Sequence, residues 1–209
     1  MKQLILAFAA ILFATIANAQ SEKFAGAMQQ QLALMDSAKT TQDFQNVANN
    51  FERIGDAEKT QWLPYYYAGL SLSSAGWRDK NLDKDANSEK IKSLCSKAES
   101  IESNAEICTI RNMAFVQQMQ VDPQSRWMTF GQEAGVALQK GMQLDAKNPR
   151  LYYLQAMSVF NTPTAFGGGK DKAKPIFEKA LELFKAEQTK PLYPHWGQKQ
   201  TEQMIEQCK

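Results

Sequence analysis

PRLYYLQAMSVFNTPTAFGGGKDKAKPIFEKALELFKAE, residues 149–187, divides into an apolar helix, a Pro/Gly-rich joint and a second, amphipathic helix. In the second helix Ala173, Ile176, Phe177, Ala180, Leu181 and Phe184 fall on one stripe, the spacing of a single helix face. Ahead of the stretch, Pro149 disfavours helix in the residue before it and pre-sets the start of the helix that follows. The reading is a helical hairpin with an enlarged joint. The rest of the chain follows the same rule.

Apolar residues recur at helical spacing almost throughout, and no run alternates with period two for long enough to make a strand, so the fold class is all-α. A first hairpin uses Phe24–Asp36 and Gln42–Ile54, with Thr41 as N-cap and Phe44, Val47, Ala48, Phe51 and Ile54 as its stripe. The next helix, about Gln61–Ser74, carries Trp62, Leu63, Tyr65, Tyr66, Tyr67, Leu70 and Leu72 and is apolar nearly all round, so it is covered on several sides. A charged loop at 78–85 leads to Ser88–Ile101. The third hairpin starts at Asn104, turns at Asp122-Pro123 and ends before Pro149. After the opening stretch, Pro191–Pro194 is a rigid spacer. Trp196–Gln207 is a last, polar helix whose Trp196, Met204 and Ile205 cover an exposed end.

At the other end, Lys2 precedes an uninterrupted apolar run from Leu4 to Ile16 and then Ala17-Asn18-Ala19. That layout is a secretory signal peptide over residues 1–19, cleaved after Ala19. The apolar run is shorter than the roughly 20 residues that span a bilayer, and no later segment is apolar enough to do so. The expected product is one helical domain, 20–209, exported most simply to a bacterial periplasm, with no membrane span after cleavage. Removing Lys2 changes 24 basic and 22 acidic residues to 23 and 22. That balance gives no electrostatic case for a nucleic-acid partner.

Cys95, Cys108 and Cys208 remain. In an oxidising compartment paired thiols bond when geometry permits. Cys95 precedes the break at Glu102-Ser103 by about two turns, and Cys108 follows it by about one. If the flanking helices are antiparallel, a Cys95–Cys108 disulfide is expected; otherwise the two are small buried hydrophobes. Cys208 is expected to be free.

Ala98, Gly141 and Ala180 each follow a bulkier Cys95, Leu138 or Phe177 by three positions, at intervals of 43 and 39 residues. Periods of that size indicate stacked helical hairpins, with small residues allowing helices to approach and bulky ones filling the groove. Here the chain resembles the tetratricopeptide repeat (TPR) family. Tyr152 with Ala156 and Tyr65 with Gly69 match its first helix; Ala173-Phe177-Ala180 and Ala134-Leu138-Gly141 match its second. Leu144-Asp145-Ala146-Lys147-Asn148 keeps all of the usual helix end but its proline. Family repeats are about 34 residues, so the joints at 77–85 and 161–169 are lengthened here. The Asn-x-Pro and Phe-Gly-Gly-Gly-Lys joint is also similar to one in exported repeat proteins of Bacteroidetes-type bacteria. The resemblance implies a TPR-like α-solenoid of about four hairpins plus a C-terminal capping helix. It also implies a concave groove into which Tyr66, Leu70, Arg111, Arg150, Tyr153 and Asn161 point.

Chemistry is sparse. Gly167-Gly168-Gly169-Lys170 before a helix suggests a phosphate loop, but Thr164 stands where glycine is needed and Asp171 where a hydroxyl is needed. Asp171 is better read as the helix N-cap, with Pro175 at the edge of the first turn and the glycines reversing the chain against Tyr152 and Phe160. If the joint does more than fold, an anion at the backbone of Gly168, Gly169 and Lys170 is the expected form. His195, the only histidine, has no relay partner at a telling spacing, and the scattered cysteines offer no metal cluster. No cofactor is implied and no catalytic residue stands out. The expectation is a binding or scaffold protein, not an enzyme, offering a groove to a peptide or envelope protein. The alternative is an enzyme or small-ligand protein with a pocket near the joint 161–170.

Overall fold

A computed structural model describes residues 22–209; the signal peptide expected over 1–19 lies outside them. Among the described residues there is no strand. Helices α1 (22–37), α2 (Thr41–Glu58), α3 (Leu63–Arg78), α4 (Lys84–Glu99) and α5 (Ala105–Met119) follow one another. After them come the single turn α6 (Pro123–Arg126), a π-helical turn (Trp127–Gly131), and α7 (Gln132–Leu144). The chain closes with α8 (Pro149–Asn161), α9 (Lys170–Ala186) and α10 (Gln198–Gln207). None of these helices is long and apolar enough to cross a membrane.

The helices stack as antiparallel hairpins, α1–α2, α3–α4, α5–α7 and α8–α9, with α10 against α9. The first helices of successive hairpins touch, α3 on α5 and α5 on α8, and form an inner layer. The repeat positions explain the stacking. Ala98 and Ala180 are fully buried, and a Cβ added to Gly141 would press on Leu151 of α8 and Cys108 of α5. At this position the neighbouring hairpin comes close enough that even an alanine would push the Leu151 side chain aside.

Local signals set most boundaries. Pro149 occupies the first turn of α8 behind an Asn148 cap, as its fixed φ dictates. Two caps differ from expectation. Thr40, not Thr41, caps α2, because Asp43 at the third position completes a reciprocal capping box with it. Helix α9 begins at Lys170 with Gly169 as cap, so Asp171 lies inside the first turn and Pro175 inside the helix. The reason is the joint: Gly167 and Gly169 take φ of +83° and +100°, a region that glycine enters freely and a residue with a Cβ enters only at a cost. The Gly169 N–H then donates to the Val159 carbonyl at 2.9 Å and fixes the reversal.

The apolar core is divided. The main cluster joins α1–α5 through Phe51, Trp62, Tyr66, Tyr67, Ile91, Leu94 and Ile110. A small cluster of Ala105, Cys108, Leu138 and Leu151 lies where α5, α7 and α8 meet. A third, around Ala156, Ala173 and Phe177, holds α8, α9 and α10 together. The last hairpin therefore adheres to the third only sparsely, α8 touching α5 and α7 to a similar extent.

Candidate functional site

The inner face is the first place to look, and the chain itself covers it. Residues 187–197 cross the inner layer as a strap. Tyr67 donates its hydroxyl to the Leu192 carbonyl at 2.9 Å, and the Trp196 indole N–H donates to the Tyr66 hydroxyl at 2.8 Å. Tyr193 packs edge-on to Trp62, and Trp196 edge-on to Tyr153. Leu192 adopts φ of +67°, at a cost of roughly 1–2 kcal/mol for a residue with a Cβ, and packs against the main cluster in return.

Beneath the strap lies a buried polar network centred on Arg150. Its guanidinium donates to Glu187 through both terminal nitrogens (2.6 and 3.0 Å), to Glu106 at 3.1 Å and to the Pro194 carbonyl at 2.5 Å. Glu106 also accepts from Tyr66 at 3.1 Å and Asn148 at 2.6 Å. Burial would lower the Arg150 pKa, but the two carboxylates outweigh it and hold the cation charged. Burial pushes the Glu106 carboxyl up, against the pull of Arg150, and pushes the Tyr66 and Tyr67 phenols well above their usual range.

Of the residues expected in a concave groove, Tyr66, Leu70 and Arg150 are therefore buried among the chain's own contacts. Tyr153 is half-buried between Phe177 and Trp196. Arg111 is paired with Glu99 at 2.7 Å, and Asn161 is exposed, its amide donating to the Met157 carbonyl. Tyr66, Arg150 and Tyr153 do come together, under the strap. No signal in the sequence announced this covering, because Tyr67 and Tyr66 meet Leu192 and Trp196 across 125 and 130 positions and no local period encodes such a pairing.

At the joint, the Gly167, Gly168 and Gly169 N–H groups donate to the carbonyls of Thr164, Pro163 and Val159. This corrects the anion-site expectation for Gly168 and Gly169, since their donors are already used; Lys170 is exposed. The close approach is real but directed elsewhere: a Cβ on Gly168 would overlap the Thr162 and Val159 carbonyl oxygens, not Tyr152 or Phe160. The expected Cys95–Cys108 bridge is not formed. Both thiols are free and buried, Cys95 in the main cluster and Cys108 in the small one on the other side of α5. Burial pushes the Cys95 thiol up to about 12.

Two cavities among the described residues bear on function. One, of about 450 Å³, opens between the strap and the starts of α5 and α8, lined by Trp62, Tyr193, Asn104, Asn148 and the carboxylates of Glu102, Glu106, Asp145 and Glu187. The other, of about 540 Å³, is a slot between α7 and α8 at the gap in the core. Gly135, Leu138, Gln139, Met142 and Gln143 form one wall, and Gln155, Ser158 and Val159 the other. Its lining is mainly apolar, with neutral amides and a hydroxyl at the edges. The slot has no counterpart in the sequence pattern, because a gap between helices has no residue type of its own. The nearest signal was the Gly-rich joint, which follows Val159 by a few residues. Among the described residues no group of acidic, histidine or cysteine side chains is placed to hold a metal ion.

No family model matches the chain, and no curated protein does. Among solved structures, the HusA haemophore from Porphyromonas gingivalis is similar over 89% of this chain and 92% of its own, at 35% sequence identity and a TM-score of 0.81.

Proposed function

Because the chain belongs to the same family as the HusA haemophore, we propose that it binds haem or a related tetrapyrrole as cargo, in the slot between α7 and α8. The observation that carries this reading is the slot itself. Its volume of about 540 Å³ falls within the roughly 300–1,000 Å³ of small-molecule sites. Leu138 and Met142 on one wall and Val159 on the other give it an apolar floor for a flat macrocycle, and Gln139, Gln143, Gln155 and Ser158 offer donors to propionate groups. The strap-side cavity is the poorer candidate: Glu106 and Glu187 share Arg150, Glu102 and Asp145 stand against Lys147, and the net negative charge left would repel a ligand bearing two propionates.

The slot lining contains no histidine, cysteine or tyrosine, and Met142 is its one soft atom. Affinity in this reading comes from burial of the macrocycle faces, not from an axial bond to iron. A peptide or envelope-protein partner would have to displace the strap to reach the inner face, so the binding role is assigned to the slot. The leader read at 1–19 and the haemophore relative both fit a protein that works outside the cytoplasm.

The test is a titration with haemin and with metal-free protoporphyrin, followed by Soret absorbance. Both are expected to bind, about equally tightly, and Met142→Leu is expected to leave both affinities unchanged because it conserves volume. Absence of saturable binding by either ligand would overturn the reading; loss of haemin binding alone in Met142→Leu would replace it with iron ligation.

A further inference from the structure

The α7 wall of the slot continues, one turn before Gly135, into the π turn Trp127–Gly131, and the α8 wall continues past Val159 into the 3-10 turn Thr164–Phe166. Since Gly135 and Val159 line the same slot, both turns stand at the same mouth. Together they present three of the most exposed large apolar side chains among the described residues: Phe166 at 81%, Met128 at 62% and Trp127 at 57%.

Both turns are fixed in place. Arg126, just before the π turn, donates to Asp85 at 2.6 Å and to the Gln118 carbonyl at 3.1 Å, and its guanidinium lies over the Phe130 ring. A Cβ on Gly131 would come within 2.8 Å of the Trp127 ring, so the glycine makes room for the indole to lie along the helix. On the other side, the N–H groups of Phe166, Gly167, Gly168 and Gly169 are all bonded within the joint. A phenylalanine this exposed adds little to the core, and scattered single apolar residues on a surface are ordinary. Three on two preorganised turns flanking one apolar slot are not scattered. The π turn also shifts Trp127 and Met128 off the buried stripe of α7, and such turns recur at functional sites.

We infer that Trp127, Met128 and Phe166 are ligand-contacting residues, jaws that grip the part of a flat aromatic macrocycle projecting beyond the slot. The inference rests on the slot reading above and adds what its walls lack, since aliphatic and amide groups line the slot and no ring does. Ring faces and the Met128 thioether stack on or against a porphyrin edge at the separations aromatic groups prefer. Rigid turns lose little freedom when they do so.

The experiment compares Phe166→Ala, Trp127→Ala, their double variant, Trp127→Phe and Gly135→Trp, titrated with haemin and metal-free protoporphyrin, with circular dichroism to check helicity. A Cβ on Gly135 meets nothing within 4 Å, so a tryptophan there plugs the slot without crowding the core. Each alanine variant should weaken both ligands about threefold to tenfold, the double variant more than either, and Trp127→Phe should keep most of the affinity. Gly135→Trp should abolish binding. Alanine variants that bind as tightly as wild type, while Gly135→Trp does not bind, would overturn the jaws and leave the slot reading standing. Wild-type affinity in Gly135→Trp would overturn the slot reading and the jaws with it.

Discussion

Glu106 and Glu187 share one guanidinium, that of Arg150, and two carboxylates against a single buried cation leave one negative charge uncompensated. The more deeply buried partner, Glu106, responds with a pKa raised above its ordinary 4.5, through burial and then the neighbouring charge of Glu187. A raised folded-state pKa means that the folded chain holds this proton more tightly than the unfolded one. The stability it contributes is therefore complete below about 4.5 and is lost as pH rises through the folded value. Glu106→Gln removes the titration while keeping the one oxygen that accepts from Asn148 and Arg150. Melting temperatures compared from about pH 4 to about pH 8 should fall less with rising pH in the variant than in wild type. Parallel curves would mean that Glu106 ionises as easily folded as unfolded.

At the scale of an element, the same residue type serves opposite purposes. Gly168 is held where a Cβ would overlap two carbonyl oxygens, whereas Gly135 on α7 faces open space. Gly168→Ala must displace backbone, not a flexible side-chain tip, and is expected to cost about 1–3 kcal/mol. Gly135→Ala should instead stabilise by about 0.5–1 kcal/mol, since nothing opposes the better helix former. Chemical denaturation of both variants measures the difference, and a stable Gly168→Ala would show that the joint is softer than its hydrogen bonds imply.

For the molecule as a whole, the strap is a structural member. Ending the chain at Ala186 would uncover Trp62, Tyr66 and Tyr67 and leave Arg150 with Glu106 but without Glu187 or the Pro194 carbonyl. Such a chain should keep helical circular dichroism, bind a hydrophobic dye and melt over a broadened transition. A sharp, unshifted transition would show that the strap is only laid on the surface.

The stack itself was readable, because Ala98, Gly141 and Ala180 are buried where neighbouring helices approach and their spacing carries that requirement into the sequence. The aromatic helix Leu63–Arg78 was likewise readable as covered on several sides. What covers it was not, since Tyr67 meets Leu192 across 125 positions and Tyr66 meets Trp196 across 130, and no local period encodes such a pairing. The slot was hidden for a related reason, being the place where packing between the third and fourth hairpins fails. The crossing also changes when the protein is finished. Stacked hairpins ordinarily settle one after another as the chain is made. Here the second hairpin waits, with its richest aromatic surface bare, until residues 192–196 have docked on it, and until then the chain is open to sticking to something else.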